Sequence, residues 1–277
     1  MKLRQSSAPP RNQDRRRLYI FVTSRNPDPY VNVIVHSVQN FRLDKICFVS
    51  VVEHGYVTES DGETQRLRAV TAEIDRRLVE LSDGRYTGIK LLDGSVRERR
   101  IDESSRVLYK SCVEKLERIE NANLVISWTD LSEKLKEFSS DENAVFDVTA
   151  LKKNLLVDVV VLLLSRGCSR VFDFEILRRG VFYDERDLIH SLKPSNNVSR
   201  GDYLYRNLAE NSHVKLAVKR MVARSMTFRQ LVVVTALVTV IVSVIQVSFP
   251  SSWAQTAVTI FATVAAIAGW LFLLRRD

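Results

Sequence analysis

The sequence predicts an α/β domain on a mainly parallel sheet, followed by a C-terminal pair of transmembrane helices. Three observations predict it. Short continuous apolar runs, LYIFVT (18–23), KICFVSVV (45–52) and AVFDVT (144–149), alternate with segments of helical spacing, the pattern of parallel strands covered on both faces by helices. From Leu231 to Leu274 there is no charged residue, and only Phe249-Pro250-Ser251-Ser252 interrupts the run. It divides into two spans of about 20 residues, the length a hydrocarbon core demands, and apolar side chains at about −0.45 kcal/mol each favour inserting the first span by roughly 6 kcal/mol. Lys215, Lys219, Arg220, Arg224 and Arg229 precede the first span, Arg275 and Arg276 follow the second, and the connecting turn carries no charge. By the positive-inside rule the N- and C-termini are then both cytoplasmic, and the chain is a multi-pass protein of the inner (cell) membrane.

The elements follow in order. Residues 1–16, with SSAPPRNQDRRR, read as a disordered basic leader, because the apolar run behind them is too short for a signal peptide. Residues 17–200 form the α/β domain. Leu18–Thr23 is a strand, SRNPDPY a turn-rich loop, and Val31–Phe41 a helix; Lys45–Val52 is the second strand. From Gly62 to about Ser82 runs an amphipathic helix with Leu67, Val70, Ile74, Leu78 and Leu81 on one face. Gly88–Leu92 reads as a strand, and DGSVRERRIDESS as a hairpin edge or loop. Ser104–Asn121 is a helix burying Val107, Leu108, Cys112, Leu116 and Ile119; Asn123–Ser127 is a strand, and TDLSEKLKEF a helix. Ala144–Thr149 is a strand, Lys152–Leu164 a very apolar helix, and Ser169–Ile176 a strand. The architecture is Rossmann-like, but no G-x-G-x-x-G follows the first strand, so a dinucleotide held in the usual way is not expected. Residues 201–229 read as one basic linker helix from Asp202 to Arg229, and residues 230–277 as the transmembrane hairpin.

Charge and cysteine usage exclude some functions. The net charge of +8 sits in the leader and next to the membrane, where anionic lipid explains it, and the globular middle is net acidic, which argues against a broad duplex-binding face. Cys47, Cys112 and Cys168 are far apart and beside apolar runs, as reduced packed thiols are. His36, His54, His190 and His213 show no metal spacing, so no metal site and no cofactor are expected.

Ligands of open α/β sheets sit outside the carboxyl ends of the strands. The loop after the first strand offers Thr23, Ser24, Arg25 and Asn26. The loop after AVFDVT offers Asp147, Thr149, Lys152, Lys153 and Asn154 at a helix N-terminus, where backbone N–H groups and the helix dipole favour an anion. Alternatively, Thr149 caps the helix and the lysines are merely solvated. Trp128, at another strand end, either stacks on a base or packs. Asp173, Glu175, Tyr183, Asp184, Asp187 and His190 pair with no Ser or Cys nucleophile at recognisable spacing, so nothing makes a positive case for an enzyme.

Within the first span Thr235, Thr239, Ser243 and Gln246 recur at intervals of four, four and three, and so fall on one stripe of a helix. Thr256, Thr259 and Thr263 make a similar stripe in the second span. Two readings stand: the stripes line water in a pore, or they hydrogen-bond across a helix interface, where Ala262/Ala266 and Ala265/Gly269 supply the small residues four apart. Both require a homo-oligomer, since two helices alone cannot enclose water.

The segments YIFVTSRNPDPY and AVFDVTALKKNLL resemble the two ligand-facing segments of CARF-like domains, Rossmann-like sensors of nucleotide second messengers in membrane effectors of bacterial anti-phage defence. Ala150-Leu151 stands where that family carries a glycine-rich turn. The resemblance covers about residues 18–200. It implies a dimeric, tetrameric or otherwise oligomeric sensor of a nucleotide or oligonucleotide messenger made by a partner nucleotidyltransferase, with transmembrane helices that form an ion channel or disrupt the inner membrane. A membrane-tethered nucleotide-metabolising enzyme and a membrane scaffold for a cytosolic partner are the alternatives.

Overall fold

The computed structural model describes residues 16–52, 60–88, 98–177, 185–195 and 201–224. The leader and the hairpin, with Thr235, Thr239, Ser243, Gln246, Thr256, Thr259 and Thr263, lie outside the described residues. Among the described residues no helix is long and apolar enough to cross a membrane.

Six strands make the main sheet: β1 (Arg16–Phe21), β2 (Leu43–Val52), β5 (Glu120–Ser127), β6 (Ala144–Asp147), β7 (Val171–Ile176) and β8 (Tyr203–Asn207). Their spatial order is β5-β2-β1-β6-β7-β8, and every pairing is parallel except that of β7 with β8. Counting only these strands in chain order, the sheet reads 3-2-1-4-5-6, the doubly wound order. A separate antiparallel pair, β3 (Arg85–Thr87) with β4 (Glu98–Arg100), is inserted after the second helix. Glu98–Arg100 of DGSVRERRIDESS is one edge of this pair, while residues 89–92 of the strand expected over Gly88–Leu92 lie outside the described residues.

The helices are α1 (Asp28–Asn40), α2 (Ser60–Ser82), α3 (Glu103–Leu116), α4 (Leu131–Ser139), α5 (Lys153–Ser165) and α6 (Ser212–Arg224). Alternation along β1 sends Leu18, Ile20 and Val22 into one core with α1, Ile46, Phe48 and the α2 stripe Leu67, Val70, Ile74, Leu78 and Leu81. The odd positions face the other way: Tyr19 stacks on Phe146 at 5.2 Å and on Phe138 of α4 at 4.5 Å. On α5, Leu155, Val159 and Leu163 are buried at four-residue spacing. Each such side chain contributes about 1.5–3 kcal/mol by leaving water. α2 ends where Gly84, at φ 82°, lets its N–H bond the Leu81 carbonyl at 3.0 Å and turns the chain into β3.

The start of α1 is held by a buried polar cluster. Asp28 is fully buried, lies 3.3 Å from Arg77 Nε of α2, and accepts from Tyr86 Oη at 2.9 Å, while the Arg77 guanidinium sits over the Tyr86 ring. Burial pushes the Asp28 carboxyl up, and Arg77 and Tyr86 pull it back.

One element differs in kind. The continuous helix expected from Asp202 to Arg229 is not formed: Tyr203–Asn207 is β8, paired antiparallel with β7, and α6 begins at Ser212. The reason is aromatic alternation. Tyr203 stacks on Phe174 at 4.8 Å and Tyr205 on Phe172 at 5.0 Å, cross-strand pairs that a helix would forfeit. Asn211 then caps α6, its Oδ1 accepting from His213 N–H at 2.9 Å. The chain divides into two compact units, residues 1–163 with 169–209 and residues 164–168 with 210–277, so β8 belongs to the α/β unit.

Candidate functional site

β1 and β6 are neighbours in the sheet, but β1 continues through α1 towards β2 on one side and β6 through α5 towards β7 on the other. Their loops therefore diverge at the carboxyl edge and open the crevice of a topological switch point. The two loops singled out from the sequence meet there, and Thr23 Oγ1 donates to the Ala150 carbonyl to bridge them.

The loop after β1 is organised by Tyr30. Its hydroxyl accepts from the N–H groups of Thr23 and Ser24 at 3.1 and 2.8 Å and donates to the Ser24 carbonyl at 3.2 Å. Ser24 Oγ accepts from Asn26 N–H and Asn26 Oδ1 from Asp28 N–H, at 3.0 and 3.2 Å. These backbone donors and side-chain acceptors are spent inside the loop. Arg25 is exposed, so its side chain is what this loop can offer to a ligand.

In the loop after β6 the inward tether is Asp147, 1 % exposed. Its Oδ1 accepts from Thr149 N–H and its Oδ2 from Tyr205 Oη, both at 3.1 Å. Burial pushes this carboxyl up to about 7, against those hydrogen bonds. Thr149 Oγ1 accepts from Phe174 N–H at 2.8 Å, so this threonine fastens the loop to β7 and does not cap α5. Lys152 is exposed ahead of α5 and Lys153 is exposed in its first turn.

Sequence reasoning missed three residues that join the site. Arg66 of α2 donates from Nε to both Glu63 oxygens at 2.8 Å and from Nη2 to Ser50 Oγ at 2.9 Å and the Val22 carbonyl at 3.3 Å, while Ser50 Oγ donates to Glu63. Nη1 of Arg66 has no hydrogen-bond partner among the described residues. Burial pushes the Glu63 carboxyl up, but hydrogen bonds from Arg66 and Ser50, with the charges of Arg66 and Lys152, bring it below its ordinary value. The guanidinium is thus held in one place, and it lines a concavity of about 420 Å³ with Arg25, Gln65, Ala69 and Glu73. The available signals were slight: a lone serine in the apolar strand KICFVSVV, and a Glu–Arg pair three apart near the start of the amphipathic helix.

Trp128 is not brought to this cleft. It starts a short turn after β5, the sheet edge, two strands or about 10 Å from β1. Chemically the cleft offers fixed and mobile cations beside strand ends, the equipment for holding an anion. Among the described residues no group of three or more His, Cys, Asp or Glu is arranged to hold a metal ion. No protein-family model, no curated protein and no solved structure matches this chain.

Proposed function

We propose that the chain is a ligand-gated membrane effector of anti-phage immunity. Its Rossmann-like, CARF-like head takes a phosphate-bearing nucleotide or oligonucleotide messenger at the switch point, and the C-terminal helix pair of an oligomer responds by forming a pore or disrupting the inner membrane. The observation that carries this reading is the Arg66 guanidinium, fixed by Glu63, Ser50 and the Val22 carbonyl beside Arg25 at the carboxyl edge of the sheet. A guanidinium already anchored loses little freedom when it meets a phosphate. The charge-free run from Leu231 to Leu274 and its polar stripes support the membrane half. A messenger shifts such a protein only by its differential affinity for the two states. A nucleotidyltransferase supplying the messenger is the partner this reading requires.

The test reconstitutes the full chain in anionic liposomes and adds cyclic and linear oligonucleotides, following dye release and ligand integrity together. Release without consumption supports an effector, and release lost in Arg66→Gln locates the site. Nucleotide consumption without release favours the membrane-tethered enzyme. Indifference of wild type to every nucleotide overturns the proposal.

A further inference from the structure

The cleft is wired to the strand that precedes α6. Thr23 Oγ1 bonds the Ala150 carbonyl, Thr149 N–H bonds Asp147, and Asp147 Oδ2 receives the hydroxyl of Tyr205 in β8. β8 is the outermost of the six strands, pairs antiparallel with β7 and, at Tyr203, forms an isolated parallel bridge with Pro194, and the chain then runs through the turn Leu208–Glu210 into α6. Beyond Tyr203 its backbone ladder among the described residues is with β7 alone, so one charge-assisted hydrogen bond from beneath weighs heavily.

We infer that the buried pair Asp147–Tyr205 is a latch that passes occupancy of the switch-point cleft to β8. This regulation rests on the reading of the cleft as an anion site. While Asp147 is ionised, the Tyr205 bond is charge-assisted; with a proton on Asp147 it becomes neutral and about half as strong. An anion in the cleft repels the carboxylate and favours its protonated form, which loosens β8. The groups that face the pair are compatible with this traffic. On Asp147 act Thr149 and, from β7, Asp173; Asp147 in turn acts on the Tyr30 hydroxyl of α1, and Asp173 is itself 3.3 Å from Arg206 of β8. On Tyr205 act Ser37 and His36 of α1, with the His36 ring 4.2 Å away and held neutral near pH 7 because burial lowers its pKa to about 4. Burial brings Asp147 to about 7, within the range a ligand's charge can shift.

The experiment is amide hydrogen exchange on the full chain in detergent micelles, comparing residues 203–207 with β5 as internal reference. Tyr205→Phe retains the ring that stacks on Phe172 and deletes only the hydroxyl; Asp147→Asn keeps the shape and removes the charge. Without ligand, wild-type protection at 203–207, corrected for intrinsic exchange, should fall about five- to tenfold from pH 8 to pH 6 relative to β5. Both variants should be flat within about twofold over the same range. At pH 8, saturating inorganic pyrophosphate should lower that protection in wild type and leave Tyr205→Phe unchanged, although both bind it with affinities within about threefold. A pH-independent wild type, a pH effect that persists in the variants, or bound pyrophosphate that acts equally on both proteins or on neither, overturns the latch. If pyrophosphate fails to bind wild type while the pH effect holds and disappears in the variants, the coupling of Asp147 to β8 stands, and the anion reading of the cleft falls together with the passage of occupancy that rests on it.

Discussion

Arg66 shows how a residue acquires a role that its own position in sequence does not announce. Its cation is half of an ordinary i, i+3 pair on a helix, yet Ser50 and the Val22 carbonyl immobilise it at the strand ends. Arg66→Gln should weaken pyrophosphate binding at least about tenfold in calorimetry and lower the unfolding midpoint modestly, because Glu63 and Ser50 lose a donor that is mostly buried with them. Asp147 makes the opposite bargain, at a depth where charge is disfavoured. Its native pKa is raised, so its stabilising contribution is full below the ordinary 3.8 and disappears as pH rises through about 7. His36 works with the other sign: its native pKa is lowered from 6.5 to about 4, so its contribution is present above 6.5 and is lost on acidification. The window from pH 6.5 to 8 therefore isolates Asp147. Urea unfolding should show wild type losing stability across that window, with Asp147→Asn flat and more stable than wild type at pH 8.

At the scale of elements, α2 was the most legible piece, since its stripe from Leu67 to Leu81 repeats at helical spacing and all five side chains are buried. Leu67→Ala should cost about 2–5 kcal/mol in chemical denaturation. Gly84→Ala should cost about 1–2 kcal/mol, because alanine resists φ 82° and its methyl would also meet Arg106 Cδ at 3.3 Å. β8 was the least legible. Its residues YLYRN lie next to a basic, helix-favouring stretch, and only Phe172 and Phe174 across the ladder make a strand of them. Those partners are about 30 residues earlier in the chain, beyond the reach of any local periodicity. The loops of the site were found by a topological rule, but the inward use of Thr149 and the consumption of loop donors by Tyr30 depend on side-chain directions that spacing does not encode.

At the scale of the whole molecule, the charge-free run from Leu231 to Leu274 predicts membrane insertion. The full chain should remain in the membrane pellet after alkaline carbonate washing and require detergent for release; recovery in the soluble fraction would remove the effector reading. The sequence by itself determined the alternation of strands and helices, most of their positions, and the greasy, cation-flanked C-terminal segment, because period and length are local properties. Only the tertiary structure decided the 3-2-1-4-5-6 order that joins Thr23 to Ala150 across 127 residues, the anchoring of Arg66, and the burial of Asp147 against Tyr205. Those outcomes depend on which distant groups share a hydrogen bond and which lose their water, and both are settled by packing between segments.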